Sequence, residues 1–376
     1  MYINGKRECT YAQWVTHDGK LQVGSYNHRT KKVNIHTLKV KWDADDHNAG
    51  AFLILPDNRL MIFYARHNRQ GIYCRTTKHS EDISNWNDEI TISDSPRITY
   101  AHPVYLKEEN KFYVFWRGPS WKPTFSTSDD GISWSEPQIL IQDSCRSAGD
   151  IRPYIKITSD NTSIIHFAFT DGHPRVEPYN SVYYLKYENG KFYRANGNLA
   201  GDMNSLPVAH QQSDLVYNGK KTRVRAWIWD IAIDKNDDPV IAYTRFPEET
   251  DHRYCYARWG GKTWTDTEIT NGGKWFPQTP EGKTERETYY SGGIAIHPSN
   301  PSVLYISRQM NDDTFQLERW STNDSGKSWN NRPISRHTHQ LNVRPVVPRG
   351  IKRNSNHVLW MYGRYIHYTN FHTGIK

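Results

Sequence analysis

Short hydrophobic runs alternate with polar turn signals along most of the chain. Gly50-Ala51-Phe52-Leu53-Ile54-Leu55 leads into Pro56-Asp57-Asn58 and then Arg59-Leu60-Met61-Ile62-Phe63-Tyr64. Similar runs occur at Lys111–Trp116, Ser163–Phe169, Pro239–Tyr243 and Ser302–Ile306. They are rich in β-branched and aromatic residues, which suit a pleated, half-buried surface, and Asp, Asn, Gly and Pro separate them. No long segment sustains the 3.6-residue period of a helix. The pattern predicts an all-β fold.

A repeat underlies the pattern. Thr127-Ser128-Asp129-Asp130-Gly131-Ile132-Ser133-Trp134 aligns position for position with Thr322-Asn323-Asp324-Ser325-Gly326-Lys327-Ser328-Trp329. Both fit Ser/Thr-x-Asp-x-Gly-x-Ser/Thr-Trp, the Asp box. In that alignment Asp129 and Asp324 bond backbone N–H groups of their own turns. The glycine takes a positive φ, and the tryptophan plugs between neighbouring sheets. Trp259-Gly260-Gly261-Lys262-Thr263-Trp264 reads as a worn copy, and Tyr187–Tyr193 as another. Such repeats arrange four-stranded antiparallel blades radially. Dividing 376 residues among seven blades gives about 54 each, a blade with some long loops. The expectation is a single β-propeller domain over 1–376, most simply with seven blades. The boxes mark hairpins; they do not mark chemistry.

Composition narrows the partners. Aromatic residues make up 13% of the chain, enough for β cores and for platforms that stack on sugar rings. The net charge of +8 is scattered, with no basic arm or nucleic-acid motif, and a diffuse positive field suits an anionic substrate. No stretch approaches the ~20 apolar residues of a membrane span. Neither a nucleic-acid nor a membrane partner is expected, and the chain is expected to be a monomer. Met1–Lys6 lacks a signal-peptide hydrophobic region. The expected setting is secreted or periplasmic, as a mature form, with a cytosolic protein the alternative. Cys9, Cys74, Cys145 and Cys255 are widely spaced and form no C-x-x-C motif.

Chemistry concentrates between residues 43 and 118. Asp45-Asp46-His47-Asn48, Arg66-His67-Asn68, Thr99-Tyr100-Ala101-His102-Pro103 and Trp116-Arg117-Gly118 each sit at the end of a hydrophobic strand. In a propeller such ends converge on the faces and the central channel. Imidazoles, a phenol and a guanidinium suit β-elimination from a uronic acid. The carboxylate must be neutralised, which arginine, a protonated histidine or an amide can do. A base must take the C5 proton, which histidine can do near neutrality. An acid must protonate the leaving O4, which tyrosine can do. In a glucuronate the C5 proton and O4 lie on one face, so adjacent groups can serve both tasks. No nucleophile or cofactor is needed for this chemistry.

On these same residues the chain resembles the BNR-repeat polysaccharide lyases with seven-bladed propellers, the ulvan lyases and the rhamnose–glucuronate lyases. His47 and His67 lie 20 positions apart, the spacing that family uses between successive strands. Thr170-Asp171-Gly172-His173-Pro174 and Tyr289-Tyr290-Ser291-Gly292-Gly293 extend the likeness. The resemblance implies His47 and His67 as the catalytic imidazoles, Tyr100 as acid or base partner, and Arg117 as the carboxylate binder. Which histidine is the base stays open. Asn48, His102, Tyr154, His173, Arg175 and Tyr290 are the expected substrate contacts. A structural metal, often calcium, accompanies family propellers, with no ligand set assignable here.

The short chain looks more like the exo-acting members that remove terminal L-rhamnose from α-1,4-linked D-glucuronate of arabinogalactan, as in gum arabic. An α-L-rhamnosidase on the same linkage and an ulvan lyase are the nearest alternatives. A sialidase needs three arginines, a Tyr–Glu pair and an Arg-Ile-Pro motif before the first box. Here Ile151-Arg152-Pro153 follows it in another order. A non-catalytic glycan-binding propeller is the alternative of another class.

Overall fold

The computed structural model describes residues 2–4, 8–142, 152–274, 292–310, 314–336 and 339–376. Seven blade sheets follow one another around a central channel, and Ile141–Gln142 pairs with Val208–Ala209 in a separate two-stranded parallel sheet. Blade 1 runs from Tyr2–Asn4 to Val33–Lys41, blade 2 from Ala51–Ile54 to Ile90–Ser93, and blade 3 from Thr99–Leu106 to Gln138–Ile139. Blade 4 begins at Ile155–Ser159, blade 5 at Arg225–Ile233, blade 6 at Ile294–Ile296 and blade 7 at Leu341–Val346. Within each blade the strands are antiparallel and joined by hairpins, and the first strand lies innermost, against the first strands of its neighbours.

Two blades depart from four strands. Blade 4 adds Leu199–Asp202 at one end and pairs Asp214–Tyr217 with Val182–Glu188. Among the described residues blade 7 has only Leu341–Val346, Leu359–His367 and Asn370–Ile375. Among the described residues no helix is long and apolar enough to cross a membrane.

The core is not one mass but a set of layers between blades. Side chains alternate along each strand, so every blade buries one row against the blade before it and one against the blade after. Phe63, Ile72 and Cys74 of blade 2 meet Val114 and Trp116 of blade 3. Phe115 and Phe125 of blade 3 meet Phe167 and Leu185 of blade 4. Comparable clusters join blades 4–5, 5–6, 6–7 and 1–2. Among the described residues no such cluster joins blade 7 to blade 1. Cys9, Cys74 and Cys255 are buried; Cys145 lies outside the described residues.

Both Asp boxes form the expected turns, with one correction. In the second, Asp324 Oδ1 accepts from the Ser328 N–H, and Thr322 Oγ1 from the Gly326 N–H. In the first, the matching carboxylate is Asp130, which accepts from the N–H groups of Ile132 and Ser133, both at 2.7 Å. Asp129, aligned with Asp324 by sequence, instead points outward to Lys111 at 3.4 Å. The first box is one residue shorter between aspartate and glycine, so its functional register starts at Ser128. Gly131 and Gly326 hold φ of 73° and 93°. Trp134 packs edge-on to Phe63 of blade 2, and Trp329 to Tyr256 of blade 5, which places each tryptophan between sheets.

Candidate functional site

A cavity of about 600 Å³ opens on the central channel. His47 reaches it from a single 3-10 turn, Asp46–Asn48, that links blade 1 to blade 2. Asp45 starts that turn and accepts from the His47 N–H at 3.0 Å. Gly50 lets the turn enter blade 2 tightly, since a Cβ there would sit 2.3 Å from the Phe63 carbonyl oxygen. His67 lies just beyond the second strand of blade 2, and its backbone N–H donates to Asn48 Oδ1 at 2.6 Å.

The two imidazoles share one counter-ion. Asp45 accepts from His47 Nδ1 through one carboxylate oxygen and from His67 Nδ1 through the other, both at 2.8 Å. The rings stack with centroids 4.0 Å apart and planes 8° from parallel. With each Nδ1 turned to Asp45, Nε2 is the nitrogen left for other work on both rings. His47 Nδ1 also lies 2.9 Å from Asp46, whose carboxylate accepts a hydrogen bond from the Tyr365 hydroxyl.

Their protonation states separate. Burial opposes a charge on His47, but hydrogen bonds to Asp45 and Asp46 outweigh it and raise its pKa to about 9. Burial pushes His67 below the ordinary histidine value; the bond to Asp45 opposes this, while the His47 and Arg117 charges add to it. Burial opposes the charge on both aspartates, but His47 and His67 hold Asp45 below the usual carboxylate range, and His47, with Arg344 and Tyr365, holds Asp46 below it. At neutral pH the pair is therefore one imidazolium and one imidazole, bridged by one carboxylate.

Tyr100 and Arg117 complete the near wall. The pairing of the first two strands of blade 3 shifts between Phe115 and Arg117, and Tyr100 sits in that bulge with φ of 63°. A bulky residue rarely adopts this conformation, and a bulge re-aims side chains in this way. Tyr100 lies 5.6 Å from His47 between ring centroids. Arg117 donates to the Tyr154 hydroxyl and to Thr99 Oγ1, both at 3.0 Å, and its guanidinium lies 4.9 Å from the Trp121 ring. Its buried Nε has no hydrogen-bond partner.

The other expected contacts divide. His102, Tyr154, His173 and Arg175 all line the cavity. His102 sits deeper, where burial and the nearby Lys156 and Arg349 hold it neutral with a pKa of about 3. His173 is likewise pushed down to about 3, by burial and by Arg152. Asn48 is 2% exposed and does not line the cavity; it ties the His67 backbone to the Asp43 carbonyl, a positioning role. Tyr290 lies outside the described residues.

The sequence reading missed several groups. Asp45 stood beside His47 without a role, although an aspartate two residues before a histidine is a local turn signal. Arg152 and Trp121 frame Arg117, with the Arg152 guanidinium 4.1 Å from the Trp121 ring. From blade 7, Arg344, Tyr365 and Tyr368 close the far wall. Tyr368 meets the His47 ring edge-on at 4.8 Å, and its carbonyl accepts from the Asp46 N–H. No local signal marks residues that arrive from some 300 positions away. The lining is strongly basic: Arg117, Arg152, Arg175, Arg344 and Lys156 face one carboxylate, Asp46.

Asp45, His47 and His67 also offer three donor atoms within 4.8 Å of one another. Nitrogen with oxygen suits a transition ion; calcium takes six to eight oxygens. The 2.8 Å Nδ1–carboxylate contacts are N–H···O hydrogen bonds. This cluster does not fit the calcium anticipated from the resemblance.

A family model described as BNR repeat-containing family member matches residues 9–272. The chain belongs to the BNR repeat-containing family. Among curated proteins, none matches this BNR repeat-containing chain. Among solved structures it is similar to an ulvan lyase bound to a GlcA(1-4)Rha3S glycan, with a TM-score of 0.72 and 14% identity over 96% of this chain and 88% of that one. The polysaccharide lyase Uly1 gives 0.64 and 11% identity over 97% and 88%. The BP39L lectin from Burkholderia pseudomallei gives 0.53 and 12% over 97% and 96%. At these identities the likeness is one of fold. Because lyases and a lectin share it, the BNR fold alone does not choose between cleavage and binding.

Proposed function

We propose that this chain is a polysaccharide lyase that cleaves the bond to O4 of a glucuronate by β-elimination. The observation that carries the reading is the imidazole–imidazolium pair on one carboxylate, set in a basic cavity beside Tyr100 and Arg117. His67, neutral and with Nε2 free of Asp45, takes the C5 proton. His47, cationic, and Arg117 neutralise the uronate carboxylate and so acidify that proton. Tyr100 stays protonated, because burial raises its pKa, and donates to the departing O4. The C4–O4 bond breaks, a C4=C5 double bond forms, and both protons are accounted for.

For the glycan, the cavity of about 600 Å³ falls in the ordinary range of small-ligand sites. The glucuronate–rhamnose glycan bound in the similar ulvan lyase structure supports the same pair of sugars here. The finer reading is release of terminal L-rhamnose from α-1,4-linked D-glucuronate of arabinogalactan. Hydrolysis of that linkage by the usual route needs two carboxyl groups across the bond. Among the described residues the cavity offers one, already engaged by His47 and Tyr365.

Incubation with gum arabic tests this. Free rhamnose together with ultraviolet absorbance from an unsaturated uronate is the expected result. Rhamnose without absorbance means hydrolysis and overturns elimination. His67→Ala is expected to lower kcat by roughly 10²–10⁴, and Tyr100→Phe to lower kcat with little change in KM. Wild-type rates in both variants would remove the site from the mechanism.

A further inference from the structure

Among the described residues blade 7 has three strands, and the outer parts of blades 6 and 1 face each other beyond them. A recess of about 790 Å³ lies there, and a smaller one of about 290 Å³ shares Arg319, Arg332 and Asn356 with it. No residue lining the catalytic cavity lines either recess.

The blade 6 wall is cationic by design of its register. Tyr305 pairs with Arg319, and Arg319 with Arg332, on successive antiparallel strands, so the three form one row on one face. Like charges directly opposite each other across strands destabilise a sheet. A third guanidinium, Arg353, lines the smaller recess. No aspartate or glutamate lines either recess, and among the described residues none of the three arginines pairs with a carboxylate. Arg319 Nε donates only to an amide, Asn356 Oδ1, at 3.2 Å. Beside Arg319 the buried Tyr305 side chain lines the same recess, with Arg319 as its polar neighbour.

The blade 1 wall is aromatic and apolar. The Trp14 ring packs against Gly24, where a Cβ would sit 2.9 Å from Cη2 and Cζ3. Its Nε1 is fixed on Gln22, and Tyr26 stands beside it. Val33 and Ile35 are 59% and 58% exposed.

We propose that this seam is a second, non-catalytic binding site for an anionic saccharide. Arg319, Arg332 and Arg353 hold its sulfate or carboxylate, and Trp14 and Tyr26 pack against the C–H faces of its rings. An anion relieves the repulsion within the arginine row, and aromatic faces take sugar rings better than they take a peptide backbone. The site goes beyond the cleavage reading and does not depend on it.

The test uses Arg319→Gln/Arg332→Gln and, separately, Trp14→Ala, each with and without His67→Ala. Gum arabic binding is measured by calorimetry at low salt in the His67→Ala background. Both seam variants are expected to weaken one class of site about tenfold. On gum arabic they are expected to raise KM several-fold while leaving kcat on a short oligosaccharide unchanged. Inorganic sulfate is expected to raise the Tm of the wild type but not of the arginine variant, whose folding the same melt reports. Unchanged binding and KM in a folded arginine variant would overturn the proposal. Capture of polyglutamate but not gum arabic at the seam would overturn it in favour of an acidic peptide. Loss of all cleavage with intact seam binding would count against the lyase reading alone.

Discussion

Asp45 sets the chemistry of the site because one carboxylate serves two rings. His47 gains charge from it and His67 does not, since burial and the first charge weigh against a second. The pH consequences follow from the two directions. His67 is depressed, so it remains a free base down to below 6.5 and is lost to protonation only in acid. His47 is raised, so its charge is complete below 6.5 and disappears as pH passes through about 9. The profile of kcat/KM is therefore expected to be a plateau with an acid limb below 6.5 and an alkaline limb near 9. Asp45→Asn is expected to move the alkaline limb to lower pH, because Asp46 alone remains to hold the charge on His47. An alkaline limb that stays in place would separate Asp45 from the titration. Folding stability has the same sign for His47: its ion pair contributes fully below 6.5 and is lost as pH rises through about 9.

At the scale of the element, bulges in inner strands decide what enters the cavity. Tyr100 sits in one in blade 3, Trp229 in one in blade 5, and Arg344, with φ of 56°, in one in blade 7. All three line the cavity. An inserted residue turns a side chain that strict alternation would place elsewhere. This explains what could be read in advance. The hairpins, the blades and the His47–His67 pair carry local signals of composition and spacing. Trp229 and Arg344 carry none, because a bulge depends on which residue its partner strand leaves unpaired. The same limit applies to Asp129 and Asp130, adjacent and chemically identical, between which only the turn's hydrogen bonds choose. Asp130→Ala is expected to lower the melting temperature, and Asp129→Ala to leave it unchanged, by calorimetry at neutral pH. The Asp130 pKa is lowered to about 2, first by the Ser133 and Ile132 N–H groups. Its contribution should therefore persist above the ordinary carboxylate range and vanish as pH falls through about 2.

For the whole molecule, the ring is closed differently at one joint. Six junctions are filled with apolar clusters. At the seventh, among the described residues, blades 7 and 1 meet through imidazole contacts such as His17 with His372 and His28 with His357, beside the open recess. Backbone amides flanking this joint are expected to exchange with deuterium first, ahead of those between blades 3 and 4. Uniform protection around the ring would contradict this. The joint is also clasped from the channel side, where Asp46 accepts from Tyr365 and donates to the Tyr368 carbonyl while facing His47. The clasp and the charge on His47 thus rest on the same residue. A glycan seated in the cavity would act as a rivet through the loosest joint. Heat should then extinguish turnover at a lower temperature than it melts the blades, and substrate should narrow that gap.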